Sequence, residues 1–286
     1  MAAAMAGLAE AGYAVETLDN VVGGAHLRTG GRPDFALVWN GTKHKVATTA
    51  DAFVRAGIPL YRVEHGFWDR RRNVQIDLDG FLAWASWAND WPEPPPEAEA
   101  KFAEYWQRPV LEVRARSEGY VLVLGQVARD SQLRESEFDG PAPLEKAVAK
   151  ALPHGVEARF RPHPNATGVD ASRVGNGRAQ LPRIGGTLED ALAGARFMVS
   201  INSNSAVEAT VAGVPCLEFG PSLALNAGVS RKAGLATLRE DLRAMLDGYA
   251  PPHEAVRRYL LNLAMRQHSV ADMRTGAFWE ALTCRT

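Results

Sequence analysis

Four short stretches carry residues able to do chemistry, and each follows an apolar run. The stretch Ser200-Ile201-Asn202-Ser203-Asn204-Ser205-Ala206-Val207-Glu208-Ala209 places small hydroxyl and amide residues where a strand turns into a helix. A helix N-terminus presents unpaired N–H groups and a partial positive charge, which suits a phosphate. Ser203, Asn204 and Ser205 would line it, and Glu208, one turn inside, could accept from ribose hydroxyls. The same letters also describe a capped helix with a solvated glutamate. Ala212-Gly213-Val214-Pro215 follows directly and favours the functional reading.

Arg161-Pro162-His163-Pro164 is the second stretch. Two prolines fix the backbone around a histidine that could donate to a phosphate oxygen or stabilise a leaving group. Arg161 could add a charge-assisted contact. The competing reading is a rigid loop with an exposed histidine. Gln126-Val127-Ala128-Arg129-Asp130 is the third. Asp130 could be a nucleophile, a charge stabiliser, or the cap of a helix beginning near Ser131. Glu64-His65-Gly66-Phe67 is the fourth: a carboxylate at a strand end, beside a glycine that permits close approach, could act as acid or base. Its competing reading is a surface turn. Arg70-Arg71-Arg72 follows at once, either a solvated face or a site for an anionic substrate group. Asn40 and His65 join these arginines as candidate substrate-binding residues.

Two other patterns are read structurally. Asp77-Leu78-Asp79 has the letters of a metal-binding pair but follows no clear buried strand, so it reads as a polar turn before Gly80. Trp84, Trp87 and Trp91 read as core rather than as a stacking platform.

The elements that must position these residues alternate between strand and helix. A helix is expected over 2–11, ending at Gly12, then a short strand over 14–18. The apolar run Asp34 to Trp39 is a strand closed by Asn40-Gly41, and Thr48 to Ala56 is a helix capped by Gly57. Leu60 to Val63 is the next strand, completing a parallel crossover unit. Pro92 to Pro96 is a stiff helix-breaking segment before a helix over 97–107. The second half restarts the pattern. Strands are expected over 120–124, 157–160, 197–201 and 214–219, and helices over 144–151, 187–193 and 205–212. Thr187 is a cap, and two helices follow Glu254. This is an α/β chain of two Rossmann-like domains, 1–117 and 118–286, with parallel sheets facing an interdomain cleft. The strand that normally opens the first domain is missing. Glu64, Gln126, His163 and Ser203 all fall at carboxyl ends of strands, where open α/β sheets bind ligands.

With 286 residues, 32 Lys+Arg against 33 Asp+Glu, and a formal charge of −1, the composition argues against bulk nucleic-acid binding by net charge and leaves a local basic patch open. The only cysteines, Cys216 and Cys284, have no paired spacing, which favours a reducing compartment and excludes a cysteine zinc site. No signal peptide and no membrane-length apolar run is visible, so a soluble cytoplasmic protein without stable membrane insertion is expected.

Together, VEHGF (63–67), QVARD (126–130), RPHP (161–164) and SNSAVEATVAGVP (203–215), in this order, resemble the bacterial capsule-polysaccharide glycosyltransferases of the Kdo-transferring type. The resemblance spans about residues 34–220. It implies a GT-B fold, an acceptor-binding N-terminal domain, a donor-binding C-terminal domain, and metal-independent transfer with retained anomeric configuration. It casts Glu64 as general acid/base and Asp130 as nucleophile. His163 and Pro164 would meet the donor phosphate, and Gln126, Arg161, Ser203, Asn204, Ser205 and Glu208 would complete the donor site. The co-substrate would be a nucleotide sugar, CMP- or UDP-linked, with no other cofactor. A double displacement of this kind is chemically coherent, since one carboxylate attacks and the other manages the proton. The acceptor would be a glycan or glycolipid. Alternatives are transfer to hydroxymethylated bases of phage-type DNA, nucleotide-sugar epimerisation, and non-catalytic nucleotide-sugar binding.

Overall fold

In a computed structural model, residues 1–18, 31–42, 44–78, 80–128, 130–165 and 181–283 are described. The chain divides into two compact units. One comprises Met1–Trp87 with Leu263–Thr286, the other Ala88–Asn262.

The first unit holds a sheet of β1 (Ala36–Trp39), β2 (Leu60–His65), β3 (Asn73–Asp77) and β9 (His268–Ser269), in that order. β1 and β2 run parallel, joined through the helix His44–Arg55, as the crossover pattern implies. β3 runs antiparallel to both β2 and β9. The sheet is therefore mixed, where a parallel one was expected. The turn after His65 is too short for a crossover, so the chain returns as a hairpin. The N-terminal helix Ala2–Glu10 buries Ala3, Ala4, Gly7 and Leu8 on one face. A Cβ on Gly7 would lie 2.7 Å from the Trp279 ring, so this glycine lets the first helix seat against the last one, Gly276–Thr283. Residues 14–18 form no strand. Val15 is 38% exposed, so the stretch has no buried face to pay the ordering entropy of a strand.

The second unit holds a fully parallel sheet, ordered β5 (Ala158–Arg161), β4 (Tyr120–Leu124), β6 (Ala195–Ser200), β7 (Cys216–Glu218), β8 (Arg231–Lys232). All five residues of β4 are buried, as a strand covered on both faces requires. Thr187 caps the helix Leu188–Ala193 through a reciprocal box: Thr187 Oγ1 accepts from the Asp190 N–H at 3.1 Å, and Asp190 Oδ2 accepts from the Thr187 N–H at 3.2 Å.

The division does not fall at 117/118. The chain enters the second unit at Ala88 and leaves it within the helix His253–Arg266. The proline segment is fastened to that helix. Asn262 Nδ2 donates to the Pro92 carbonyl at 2.9 Å, Arg257 pairs with Glu93 at 2.7 Å, and Trp91 packs on Tyr259. Arg116 then donates to the carbonyls of Leu192, Ala195 and Ala212, closing the ends of two helices. Trp84, Trp87 and Trp91 are part-buried and lie on no common helix; the only helical piece there is the short turn Leu82–Trp84. No described helix is long and apolar enough to cross a membrane.

Candidate functional site

In the second unit, β5, β4 and β6 are hydrogen-bonded neighbours, so the loops leaving their carboxyl ends lie side by side. Gly125 closes the distance between two of them. Its N–H donates to the Arg161 carbonyl at 2.8 Å, and a Cβ there would sit 2.9 Å from the Phe160 ring and 3.1 Å from the His163 nitrogen. Gln126, next in sequence and buried, closes the other gap. Its Oε1 accepts from the N–H groups of Ile201 and Asn202 at 3.1 and 3.0 Å, and its Nε2 donates to Asn202 Oδ1 at 3.0 Å. Expected to touch the donor, Gln126 is first a brace that fixes the loop bearing Ser203.

Asp130 opens the 3-10 turn Ser131–Leu133, and its Oδ1 accepts from the Gln132 N–H at 3.0 Å. The capping role is thus present, with the carboxylate half-buried at the end of the loop. Its motif partner Arg129 lies outside the described residues. Arg161 donates to the Gly186 carbonyl at 3.0 Å, which commits part of its guanidinium to the neighbouring loop. His163 Nδ1 accepts from the Asn165 N–H at 3.1 Å, which places the neutral ring's proton on Nε2. Pro164 is exposed beside it.

Asn204 occupies the N-cap position of the helix Ser205–Val211 without a side-chain cap bond. Ser203 serves instead: its Oγ accepts from the Ser205 N–H at 3.2 Å, and its own N–H donates to Ser200 Oγ at 3.4 Å. Glu208 is half-buried in the first turn. Asn202, which sequence reasoning passed over, is buried and donates to the Gln132 carbonyl, tying the Ser203 loop to the Asp130 turn. The motifs around Gln126, Asp130, His163 and Ser203 therefore form one connected edge.

That edge also holds a residue no motif flagged. Glu218 ends β7 and is fully buried. Its Oε2 accepts from Ser222 Oγ at 2.7 Å, and its Oε1 pairs with Ser200 Oγ at 3.3 Å. Burial pushes this carboxyl up to about 7, against the pull of the Ser222, Ser230 and Ser200 hydroxyls. The sequence signal was a carboxylate inside an apolar run, Cys216-Leu217-Glu218-Phe219, followed by Gly-Pro-Ser.

In the first unit Glu64 ends β2, buried to 5% exposure. Its Oε2 accepts from Asn40 Nδ2 at 2.5 Å and its Oε1 from the His65 N–H at 2.8 Å. Asn40 sits in the left-handed region at φ 60, which asparagine tolerates better than most residues. Its Oδ1 is turned toward Thr42, accepting from that residue's N–H at 3.1 Å, so the amide nitrogen must face Glu64. The surface-turn reading of Glu64 does not hold: the carboxylate is enclosed. Gly66 is required for its own reason, since a Cβ there would lie 2.5 Å from Gln267 Oε1 and 2.9 Å from the Asn73 side chain. His65 is exposed, its Nδ1 at 2.7 Å from the Arg70 carbonyl and its ring edge-on to Trp39. Arg70, Arg71 and Arg72 are exposed in the turn that follows.

Asp77 ends a buried strand, contrary to the sequence reading, yet its carboxylate is spent on a turn. Oδ2 accepts from the N–H groups of Gly80 at 3.0 Å and Ser86 at 2.9 Å. Asp79 and Cys284 lie outside the described residues.

No family model matches the sequence, and no curated protein does. Solved structures do match. A beta Kdo 2,7 transferase of KpsC from Thermosulfurimonas dismutans superposes with a TM-score of 0.56 at 15% identity, covering 95% of this chain and 91% of that one. The beta Kdo 2,4 transferase of KpsC from the same organism superposes with a TM-score of 0.55 at 14% identity, covering 82% and 80%. The fold is that of the GT-B class, with two Rossmann-like units.

Proposed function

We propose that this chain is a glycosyltransferase that moves a sugar from a nucleotide-sugar donor to a glycan or glycolipid acceptor. The observation that carries the reading is the connected edge of the second unit. Gly125 and Gln126 join the loops after β4, β5 and β6 so that Asp130, His163 and the Ser203 turn share one rim. Fold likeness to two sugar transferases over most of the chain supports it.

The donor nucleotide, CMP or UDP, lies along that rim. His163 donates through Nε2 to the phosphate, and the start of the helix Ser205–Val211 adds its backbone N–H groups. Glu208 receives ribose hydroxyls. Asp130 is the nucleophile. With Oδ1 held by the Gln132 N–H, Oδ2 attacks the anomeric carbon as the bond to the nucleotide phosphate breaks, and the phosphate leaves with the electron pair. Glu64 then takes the proton of an acceptor hydroxyl as that oxygen displaces Asp130, so configuration is retained after two inversions. The reaction uses no divalent metal in this reading. Glu64 belongs to the first unit and Asp130 to the second. Asn40, His65 and Arg70–Arg72 stand on the acceptor side.

A panel of nucleotide sugars, read by thermal shift and by slow donor hydrolysis, tests the proposal. Stabilisation and turnover by one donor supports it; no response to any nucleotide or nucleotide sugar removes it. A covalent sugar on Asp130 in Glu64→Gln, seen by mass spectrometry, would establish the double displacement.

A further inference from the structure

Glu218 has no part in the mechanism above, yet it is a carboxylate at the floor of an apolar strand. Cys216 on its own strand and Tyr259 from the helix His253–Arg266 face it, both with their ionisation pushed up by burial and by its charge. Burying a carboxylate is costly, and an apolar residue of similar volume commonly packs as well or better. Departures from local packing rules concentrate at functional sites.

Its hydrogen bonds show what it organises. Ser222 Oγ accepts from the Leu225 N–H at 3.0 Å, so its own proton is directed to Glu218 Oε2. Ser200, the register partner of Glu218 across β6 and β7, accepts from the Ser203 N–H and turns toward Oε1. One carboxylate therefore aligns two hydroxyls, and each hydroxyl fixes one loop. The two loops also touch: the N–H groups of Phe219 and Gly220 both donate to the Ile201 carbonyl, at 2.9 and 2.8 Å. A Cβ on Gly220 would lie 3.2 Å from Asn202 Nδ2.

We propose that Glu218 is the positioning residue of the donor rim: through Ser200 and Ser222 it sets the loops 201–205 and 219–225 in the geometry that receives the nucleotide. The nucleotide part rests on the donor-site reading above; the setting of the loops does not.

Hydrogen exchange on the full chain, with calorimetry using CMP and UDP, tests it. Glu218→Leu removes the hub while keeping a side chain of similar size. It folds with a melting temperature at or above that of the parent, while amides of 203–206 and 222–226 exchange at least tenfold faster and β4 is unchanged. Ser200→Ala loosens only the first loop and Ser222→Ala only the second; these two carry the test if Glu218→Leu does not fold. Glu218→Gln restores part of the protection. Whichever nucleotide the parent binds, Glu218→Leu raises its Kd at least tenfold. Unchanged loop exchange, or loosening spread evenly over the unit, overturns the positioning role. Loosened loops with unchanged Kd overturn the link to the nucleotide. If the parent binds neither CMP nor UDP, the donor reading fails, and the exchange data still decide the role of Glu218.

Discussion

Asn40 donates its side-chain N–H to Glu64 Oε2 across the carboxyl ends of two parallel strands. Asn40 is held at its backbone and at its amide oxygen. The Asn40 N–H donates to the Val63 carbonyl, and Thr42 holds the amide oxygen, so the nitrogen has one direction left. A carboxylate oriented this way is prepared to take a proton at one place.

Asn40→Gly keeps the left-handed backbone and removes the donor, whereas Asn40→Ala also adds strain of about 1 kcal/mol. Both should lower kcat roughly 10- to 100-fold. Both should lose stability in urea titrations, because both leave the buried Glu64 without this donor, and the alanine variant should lose about 1 kcal/mol more. Equal activity of Asn40→Gly and the parent would detach Asn40 from the chemistry.

Asp130 carries two possible duties that one pair of variants separates. Asparagine caps nearly as well as aspartate, so Asp130→Asn should melt within about 0.5 kcal/mol of the parent, and Asp130→Ala should lose about 1 kcal/mol. Both should lose at least about 10³-fold in kcat if Asp130 attacks the sugar. An active Asp130→Asn leaves Asp130 as a cap alone.

Gln126→Ala strands two buried N–H groups, those of Ile201 and Asn202. Leaving them unpaired should cost about 2–3 kcal/mol in urea denaturation. Gln126→Glu keeps the acceptor but turns a second oxygen on Asn202 Oδ1. Asn202 cannot flip in reply, because its nitrogen is committed to the Gln132 carbonyl. The glutamate variant should therefore be destabilised as well, and more so at high pH.

These residues also show what the sequence made visible. β4 was legible because YVLVL is apolar throughout, and the helix after Thr187 because its capping box is local. The strand Asn73–Asp77 was not. Asn73 and Gln75 look like loop residues, but they are buried as clamps, Gln75 donating to the His65 carbonyl and accepting from the Leu82 N–H. Glu218 was hidden too: one of the hydroxyls that hold it, Ser222, lies four residues on, but another, Ser200, comes from the neighbouring strand eighteen residues back. The return of Trp279 to Gly7 was invisible for a different cause: nothing near either residue encodes a partner some 270 positions away.

Arg70, Arg71 and Arg72 are exposed, so replacing all three with glutamine should leave stability unchanged. If they meet an anionic acceptor, KM for that acceptor rises and its salt dependence flattens, measured as log KM against log salt. A phosphate-rich polymer such as DNA would lose about 0.7–0.9 of slope per phosphate contact removed. An unchanged slope and KM would take the arginines off the acceptor side.

Glu218 makes stability depend on pH in a window that can be named. Its carboxyl titrates at about 7 when folded, because burial penalises the charge, against 4.5 as the ordinary value. The folded chain therefore holds this proton more tightly than the unfolded chain. The contribution is fully present below about 4.5 and is lost as pH rises through about 7, a change of about 3 kcal/mol. Glu218→Gln cannot titrate there. Unfolding free energies of parent and variant, measured in urea from pH 4.5 to 8, should diverge steadily in favour of the glutamine. Cys216 and Tyr259, whose ionisation lies higher, do not enter this window. A difference that stays constant from pH 4.5 to 8 would mean that the carboxylate is charged throughout, its cost met in full by the Ser222, Ser230 and Ser200 hydroxyls.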